Sequence, residues 1–545
     1  MIRAFSFLFL FVSVSLFLAC RTPQSPRQFD VLIKNGTIYD GSGSEPYKAD
    51  LAINGDTIAA MGDLPYDQAK KVIDATGLAV SPGFINMLSW ADGSLLKDGR
   101  SMSDIKQGVT LEVFGEGWSP GPKLQATKSA PWRSLGEYFK HLEKLGVSPN
   151  FASFVGATSV RTYVIGNANR KATTQEMEKM KSLVKQAMEE GAMGLGSSLI
   201  YAPADFASTV ELIELSKVAS HYGGMYITHM RSESDKILSA INETLRIASE
   251  AKIPAEIYHL KINQPWNWNK IDTVIAKIDS AQKAGLKISA NMYTYNASGT
   301  SLTARLPTWV QDGGAAAMRK RLTNPITRKK VLSDLALGIP SKNSDPKNVM
   351  LLGFRKDSLN KLYKAKRLDE IARIHGKNAD ETMLDLIVAD KSSIPAIFFL
   401  ISEDNVKRML KLPYVSICSD AGSIAAEGVN KNDGAHPRTY GSFARLLGKY
   451  VRDEKIMSLQ EAIRRMTLLP ATHLNIKNRG LLKVGNYADV AVFSPEKVKD
   501  LATFELPHQY AEGMMHVFVN GGQVLQNGEH TNLRPGRLIK RRYSK

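Results

Sequence analysis

Four residues have the side chains and the spacing expected of a metal centre. His229 and His259 end two successive apolar runs, and Asp420 ends a later one. Glu116 lies two residues after another such run, 109–114. Histidine and carboxylate groups bind Zn²⁺ and similar divalent ions, and a catalytic ion keeps about three protein ligands and a water molecule. The ion lowers the pKa of that water, and a neighbouring carboxylate acts as general base. The pattern therefore predicts metal-assisted hydrolysis.

Each of these residues has an ordinary structural alternative when it is taken alone. A single histidine at a strand end is more often a hydrogen-bonded core residue, Asp420 could cap a helix, and Glu116 could be a solvated loop carboxylate. Two histidines on successive strands and an aspartate on a later one are hard to obtain by chance in a chain with 10 histidines. The combination favours the metal centre.

The elements that must position these residues alternate apolar runs with amphipathic stretches, which is typical of parallel β/α units. The alternation predicts an α/β fold, a (β/α)8 TIM-like barrel over 82–480, because catalytic groups of such barrels follow the carboxyl ends of the strands. A long interval before the last strand predicts an inserted segment at about 300–410. The predicted strands are 83–88, 109–114, 152–156, 194–199, 225–229, 255–259, 288–293 and 415–420, and the clearest helices are 174–190, 208–221 and 234–251.

Both ends of the chain consist of short strand-like runs with turns between them. The run 49–56 ends in Asn54-Gly55, a hairpin signal. Runs 486–493 and 516–522 have the same character near the other end. We therefore expect one small β-sandwich domain built from 29–81 and 481–545.

The N-terminus has the pattern of a targeting segment. Arg3 precedes an apolar run at 4–18, and Ala19-Cys20 follows it. This ending resembles a bacterial lipobox, so residues 1–20 are predicted to be a lipoprotein signal peptide with Cys20 as the lipidated residue. A plain secretion signal or an uncleaved anchor is the alternative. Residues 21–28 form a polar tether. Arg21 stands where an Asp would favour inner-membrane retention, which predicts a cell-envelope protein facing the periplasm, at the outer membrane.

The net charge is +18, from 71 Lys and Arg against 53 Asp and Glu. No nucleic-acid-binding motif accompanies it, so we expect no nucleic-acid partner and interpret the charge as a solvated basic surface near a membrane. The two cysteines, Cys20 and Cys418, lie too far apart in the sequence to suggest a disulfide framework, and Cys418 is expected to be a buried core residue.

Several separate stretches resemble the N-acyl-D-amino-acid deacylase (D-aminoacylase) family of the amidohydrolase superfamily, over roughly residues 29–540. Tyr-Ile-Thr-His-Met-Arg at 226–231 and Ile-Tyr-His-Leu-Lys at 257–261 resemble its fifth-strand and sixth-strand segments. Ser-Asp at 419–420 and Gly-Ala-His-Pro-Arg-Thr-Tyr-Gly at 434–441 resemble the eighth strand and its loop. The stretches 504–513 and 534–536 resemble the tail.

The resemblance implies a zinc-dependent enzyme that cleaves small N-acyl-D-amino acids. It makes His229 and His259 metal ligands and Asp420 the general base. It also places four or five residues around the substrate carboxylate and carbonyl, where Arg can grip a carboxylate in bidentate fashion and Tyr or Lys can donate to a developing oxyanion. These residues are Tyr201, Lys261, Arg438, and Tyr293 or Tyr295.

The sequence departs from the superfamily at the first strand, which normally ends in His-x-His. Leu88 and Trp90 occupy those positions here, and neither can bind such a cation. Glu116 stands near the place where family members with the usual pattern have a Cys. We favour one ion held by Glu116, His229 and His259. A related hydrolase of D-residue dipeptides or cyclic amides, and a non-catalytic lipoprotein that binds a ligand, are the alternatives.

Overall fold

A computed structural model describes residues 28–66, 69–338, 345–428 and 434–541. The predicted signal peptide, the predicted lipidation site Cys20 and most of the predicted tether lie outside the described residues. No helix in those described ranges combines the length and the apolar character needed to cross a membrane.

The central element is a closed parallel barrel. Each strand pairs in parallel with the next along the chain. The seam closes where Met87 N–H donates to Ile417 O at 3.4 Å and Asp420 N–H donates to Leu88 O at 2.9 Å. The predicted (β/α)8 barrel is thereby confirmed. Its strands are β1 (Phe84–Asn86), β2 (Val109–Phe114), β3 (Asn150–Ser153, continued by Val155–Gly156), β4 (Gly194–Ser198), β5 (Met225–His229), β6 (Ala255–Ile257), β7 (Ile288–Met292) and β8 (Val415–Ile417).

Helices cover the outside of the barrel, and the helix Thr174–Glu190 shows why they form. Thr173 and Glu176 make a capping box at its start, and Gly191 ends it in the left-handed region at φ 116°. Met180, Val184 and Ala187 are spaced to share one face, and that face is buried. The other main barrel helices are Leu135–Leu145, Ala157–Ile165, Thr209–His221, Ile237–Glu250, Ile271–Lys283, Glu403–Leu410, Arg438–Arg445 and Leu459–Met466, with short ones at Ala91–Ser94, Met102–Ile105 and Leu468–His473.

The two ends of the chain form the predicted β-sandwich. Val31, Leu51, Val490 and Phe518 are among the residues buried between its two sheets. One sheet has the order Thr57–Gly62, Asp50–Asn54, Phe29–Lys34, Ala69–Asp74. The other has the order Glu529–His530, Gly522–Gln526, Met514–Val519, Val490–Phe493, Ala79–Pro82, Thr37–Ile38, Tyr47–Lys48. Strands from both termini therefore share one sheet.

The chain between β7 and β8 folds around a separate apolar core, which includes Leu302, Leu322, Val331 and Leu384. Its three antiparallel strands stand in the order Ser298–Ser301, Pro395–Phe398, Val349–Leu351. Its helices are Thr308–Gln311, Gly314–Thr323, Pro325–Ala336, Asp357–Tyr363, Leu368–His375 and Ala379–Asp390. This inserted segment forms one wall of a cavity at the carboxyl ends of the barrel strands.

Candidate active site

A cavity of about 550 Å³ lies at the carboxyl ends of the barrel strands. This is the end at which barrel enzymes place their catalytic groups. The barrel contributes charged and imidazole side chains to it: Glu116, His229, Glu233, His259, Lys261, Asp420 and Arg438. The inserted segment contributes mainly neutral side chains, among them Ser298, Thr300, Ala304, Ser393 and Phe398.

Glu116, His229 and His259 converge in this cavity, and all three are buried. Glu116 Oε1 lies 2.7 Å from His229 Nδ1 and 3.2 Å from His259 Nε2. Within the part of the chain that the structure describes, these are the residues whose ligand atoms lie close enough to share an ion, all within 4.8 Å of one another. Two imidazole nitrogens and one carboxylate oxygen form a common catalytic zinc set, so the residues present fit the metal that the sequence predicts.

The electrostatics of the three groups suit a cation. Burial raises the pKa of Glu116, but hydrogen bonds with His229 and His259 outweigh it and bring that pKa to about 2. Burial lowers the pKa of His229, which favours the neutral imidazole. Burial and Lys261 lower the pKa of His259, but the carboxylates around it, including Asp420, raise that pKa to about 9. Metal binding requires neutral histidine, so an ion would take the place of this proton.

Glu233 is a site residue that the sequence analysis missed. Its Oε1 lies 3.1 Å from His259 Nδ1 and 2.5 Å from Lys261 Nζ. Burial raises the pKa of Glu233, but Lys261 and the two histidines hold it well below its usual range. A carboxylate on the far nitrogen of a metal-binding histidine fixes its ring and its tautomer. Glu233 is therefore placed to orient His259, whose Nε2 faces Glu116.

The predicted substrate residues Tyr201, Lys261 and Arg438 line the cavity. The Tyr201 hydroxyl lies 2.8 Å from Thr300 Oγ1, and its ring is edge-on to His229. Lys261 is buried and bound to Glu233. These positions bring residues from the barrel and the inserted segment to the same cavity.

Tyr293 and Tyr295 differ in their surroundings. The Tyr293 hydroxyl is buried, has no hydrogen-bond partner among the described residues, and the Arg438 guanidinium lies over its ring at 4.6 Å. The Tyr295 hydroxyl instead donates to Asp500 Oδ2 at 3.0 Å. Neither tyrosine is among the residues that line the cavity. Of the two tyrosines, Tyr293 is the better candidate for a substrate contact, because the Tyr295 hydroxyl is already bound to Asp500 in a loop near the C-terminus.

Asp420 lies just past β8 and is held from two sides. Arg438 Nη1 lies 2.7 Å from Asp420 Oδ2, and the indole N–H of Trp90 donates to Asp420 Oδ1 at 3.1 Å. His436 in turn fixes Arg438, because its Nδ1 accepts from Arg438 N–H at 3.0 Å. Leu88, at the other missing histidine position, is fully buried. Neither first-strand position offers a ligand.

Comparisons with known proteins show the family to which this chain belongs. D-aminoacylase of Alcaligenes xylosoxydans xylosoxydans is 34% identical, over 94% of this chain and 98% of that protein. The chain belongs to the D-aminoacylase family. The predicted family is thereby confirmed, and the broader amidohydrolase family model matches residues 405–525.

Two solved structures of the D-aminoacylase family are similar along nearly the whole chain. One is a D-aminoacylase with a binuclear metal centre, activated by one metal and attenuated by the second; it is 31% identical over 94% of this chain and all of that one, with a TM-score of 0.80. The other is N-acyl-D-glutamate deacylase from Bordetella bronchiseptica with zinc and a phosphonate inhibitor that mimics the tetrahedral intermediate. It is 28% identical with the same coverage and a TM-score of 0.79.

Proposed function

We propose that the protein is a zinc-dependent hydrolase that cleaves the amide bond of N-acyl-D-amino acids to a carboxylate and a free D-amino acid. The observation that carries this proposal is the convergence of Glu116, His229 and His259 in a cavity that also holds Asp420. The names and the bound zinc and phosphonate of its family relatives support the same chemistry.

Zinc at this site supplies a Lewis acid that polarises the amide carbonyl and makes a water molecule more acidic. Glu116, His229 and His259 would hold it, with Glu233 orienting His259. Asp420 accepts the proton of the attacking water and passes it to the departing amine. The hydroxyl of Tyr201, which lines the cavity, is placed to donate to the substrate.

Arg438 is the residue best placed to bind the substrate carboxylate. Its Nε is buried and has no hydrogen-bond partner among the described residues, and a buried donor of that kind is costly unless a ligand satisfies it. Lys261 is bound to Glu233, and Arg305, the third cation of the cavity wall, is paired with Asp380. Arg438 is itself paired with Asp420, so its Nε is the cationic donor left for one carboxylate, the α-carboxylate.

The rest of the cavity wall is neutral. Trp118, Ile200, Phe398 and Leu400 supply apolar surface, and Ser298, Thr300 and Ser393 supply hydroxyls. A second carboxylate placed there would lose its hydration without gaining a free cation. We infer that the side chain of the D-amino acid is neutral, unlike that of N-acyl-D-glutamate.

A panel of N-acetylated amino acids tests this function. We expect kcat/KM for N-acetyl-D-leucine or N-acetyl-D-methionine to exceed that for N-acetyl-D-glutamate by about 10²-fold or more, because the acidic side chain lacks a cation to pair with. The L-enantiomers serve as matched controls. If a D-residue dipeptide or a cyclic amide is hydrolysed faster, that compound class is the substrate instead. If zinc-loaded protein hydrolyses none of the compounds, the alternative of a non-catalytic, ligand-binding lipoprotein is favoured.

We also propose that Cys20 is lipidated and anchors the enzyme to the outer membrane, facing the periplasm. The support is the sequence pattern of residues 1–20. Cys20→Ala should abolish incorporation of labelled fatty acid and release the protein from membrane fractions into the soluble fraction. Cys418→Ala is the matched control and should leave the label in place. A Cys20→Ala protein that still carried the label would contradict the anchor.

A further inference from the structure

The barrel seam brings Trp90 to Asp420 with little freedom. The backbone N–H of Asp420 donates to Leu88 O at 2.9 Å, and the backbone N–H of Trp90 donates to Ala421 O at 2.9 Å. These two hydrogen bonds join the residues after β1 to those after β8. Asp420 itself has a left-handed backbone, at φ 49°, which sets the direction of its side chain. The relative position of the two side chains is therefore fixed by the closure of the barrel.

The Asp420 carboxylate has one donor on each oxygen. The Trp90 indole N–H donates to Oδ1 at 3.1 Å, and the Arg438 guanidinium faces Oδ2 at 2.7 Å. Indole nitrogen is a donor only, so this hydrogen bond has a fixed direction. With only Arg438 present, the carboxylate could rotate about its Cβ–Cγ bond. With Trp90 on the other oxygen, both oxygens are held.

We propose that Trp90 is a positioning residue that holds the Asp420 carboxylate in the orientation in which it receives the proton of the attacking water. This inference rests on the proposed function, because it requires Asp420 to be the base. Proton transfer depends steeply on the geometry of the acceptor, whereas substrate binding depends on the whole cavity wall. Loss of the indole N–H should therefore act on kcat more than on KM.

Trp90→Phe removes the N–H and keeps most of the aromatic surface. We expect kcat to fall about 10-fold, as for loss of one hydrogen bond to a charged group. KM should stay within about threefold, and bound zinc should be unchanged, because Trp90 is not one of the three residues whose ligand atoms converge. Trp266→Phe is the matched control: it also removes an indole N–H from a carboxylate, that of Asp235, but Trp266 is exposed and does not line the cavity.

A double-mutant cycle with Asp420→Asn separates positioning from a merely structural role. If Trp90 acts through Asp420, Trp90→Phe should have almost no further effect on kcat once Asp420 is Asn. Independent losses that multiply in the double variant would overturn the inference. Trp90→Leu carries the same cycle if the Phe variant folds poorly. Full activity of Asp420→Asn alone would overturn the assignment of Asp420 as the base in the proposed function. If Asp420→Asn is inactive and the two losses are independent, only the positioning role of Trp90 is overturned.

Discussion

Asp420→Asn is expected to lower kcat by about 10²-fold or more while the protein keeps its zinc. Asparagine has the same shape, and its one amide oxygen can still accept from Trp90 or from Arg438, but it cannot act as the base that takes the proton of the attacking water. Asp420 is not one of the three residues whose ligand atoms converge, so the metal should remain. The substitution therefore separates the base from the metal site.

The measurement is steady-state hydrolysis of an N-acyl-D-amino acid together with metal analysis of the same preparation. Asp345→Asn makes the same chemical change at an exposed residue paired with Lys347, and should leave kcat unchanged. Normal turnover by Asp420→Asn would show that another group takes the proton. Loss of zinc in Asp420→Asn would instead make Asp420 a ligand.

The sequence predicts the barrel well where strands are continuous apolar runs. The observed β2 and β5 have the bounds predicted for them, because every residue of both strands is buried and extended. The observed β6 and β8 end two and three residues early. His259 and Asp420 adopt positive φ angles of 34° and 49°, which an extended strand cannot include, so each strand ends before the residue whose side chain lines the cavity.

The site is predicted to the extent that its residues follow strand ends. Glu116, His229 and His259 do so, and the structure brings them together. Glu233 was missed because it lies in the loop after β5, and its contacts with His259 and Lys261 depend on how that loop folds. A carboxylate four residues after a predicted ligand histidine was the available signal.

Trp90 shows a different limit of sequence reasoning. Its residue type shows that a histidine ligand is absent, and that much follows from the sequence. Its hydrogen bond to Asp420 joins residues 330 positions apart, and it depends on the register in which β1 meets β8. The periodicity of apolar residues predicts the two strands but not that register, so the contact between Trp90 and Asp420 could be found only from the structure.

Glu116→Gln is expected to reduce bound zinc from about one ion per chain to almost none, and hydrolysis to fall with it. Glutamine keeps the size of the side chain but removes the negative charge, and two neutral imidazoles remain where a catalytic ion needs about three ligands. Metal analysis after purification without chelator measures the ratio. Glu178→Gln, at an exposed residue paired with Lys181, is the matched control.

Glu116→Cys distinguishes a missing ligand from a damaged pocket. A thiolate is an ordinary zinc ligand and is smaller than the carboxylate side chain it replaces, so the variant should still bind about one ion per chain. If Glu116→Cys retains zinc and Glu116→Gln loses it, position 116 supplies a ligand atom, and His229 and His259 alone are not sufficient to bind the ion. Zinc retained in Gln would contradict this, and it would shift the third ligand to Glu233, whose Oε1 lies 3.5 Å from His229 Nε2.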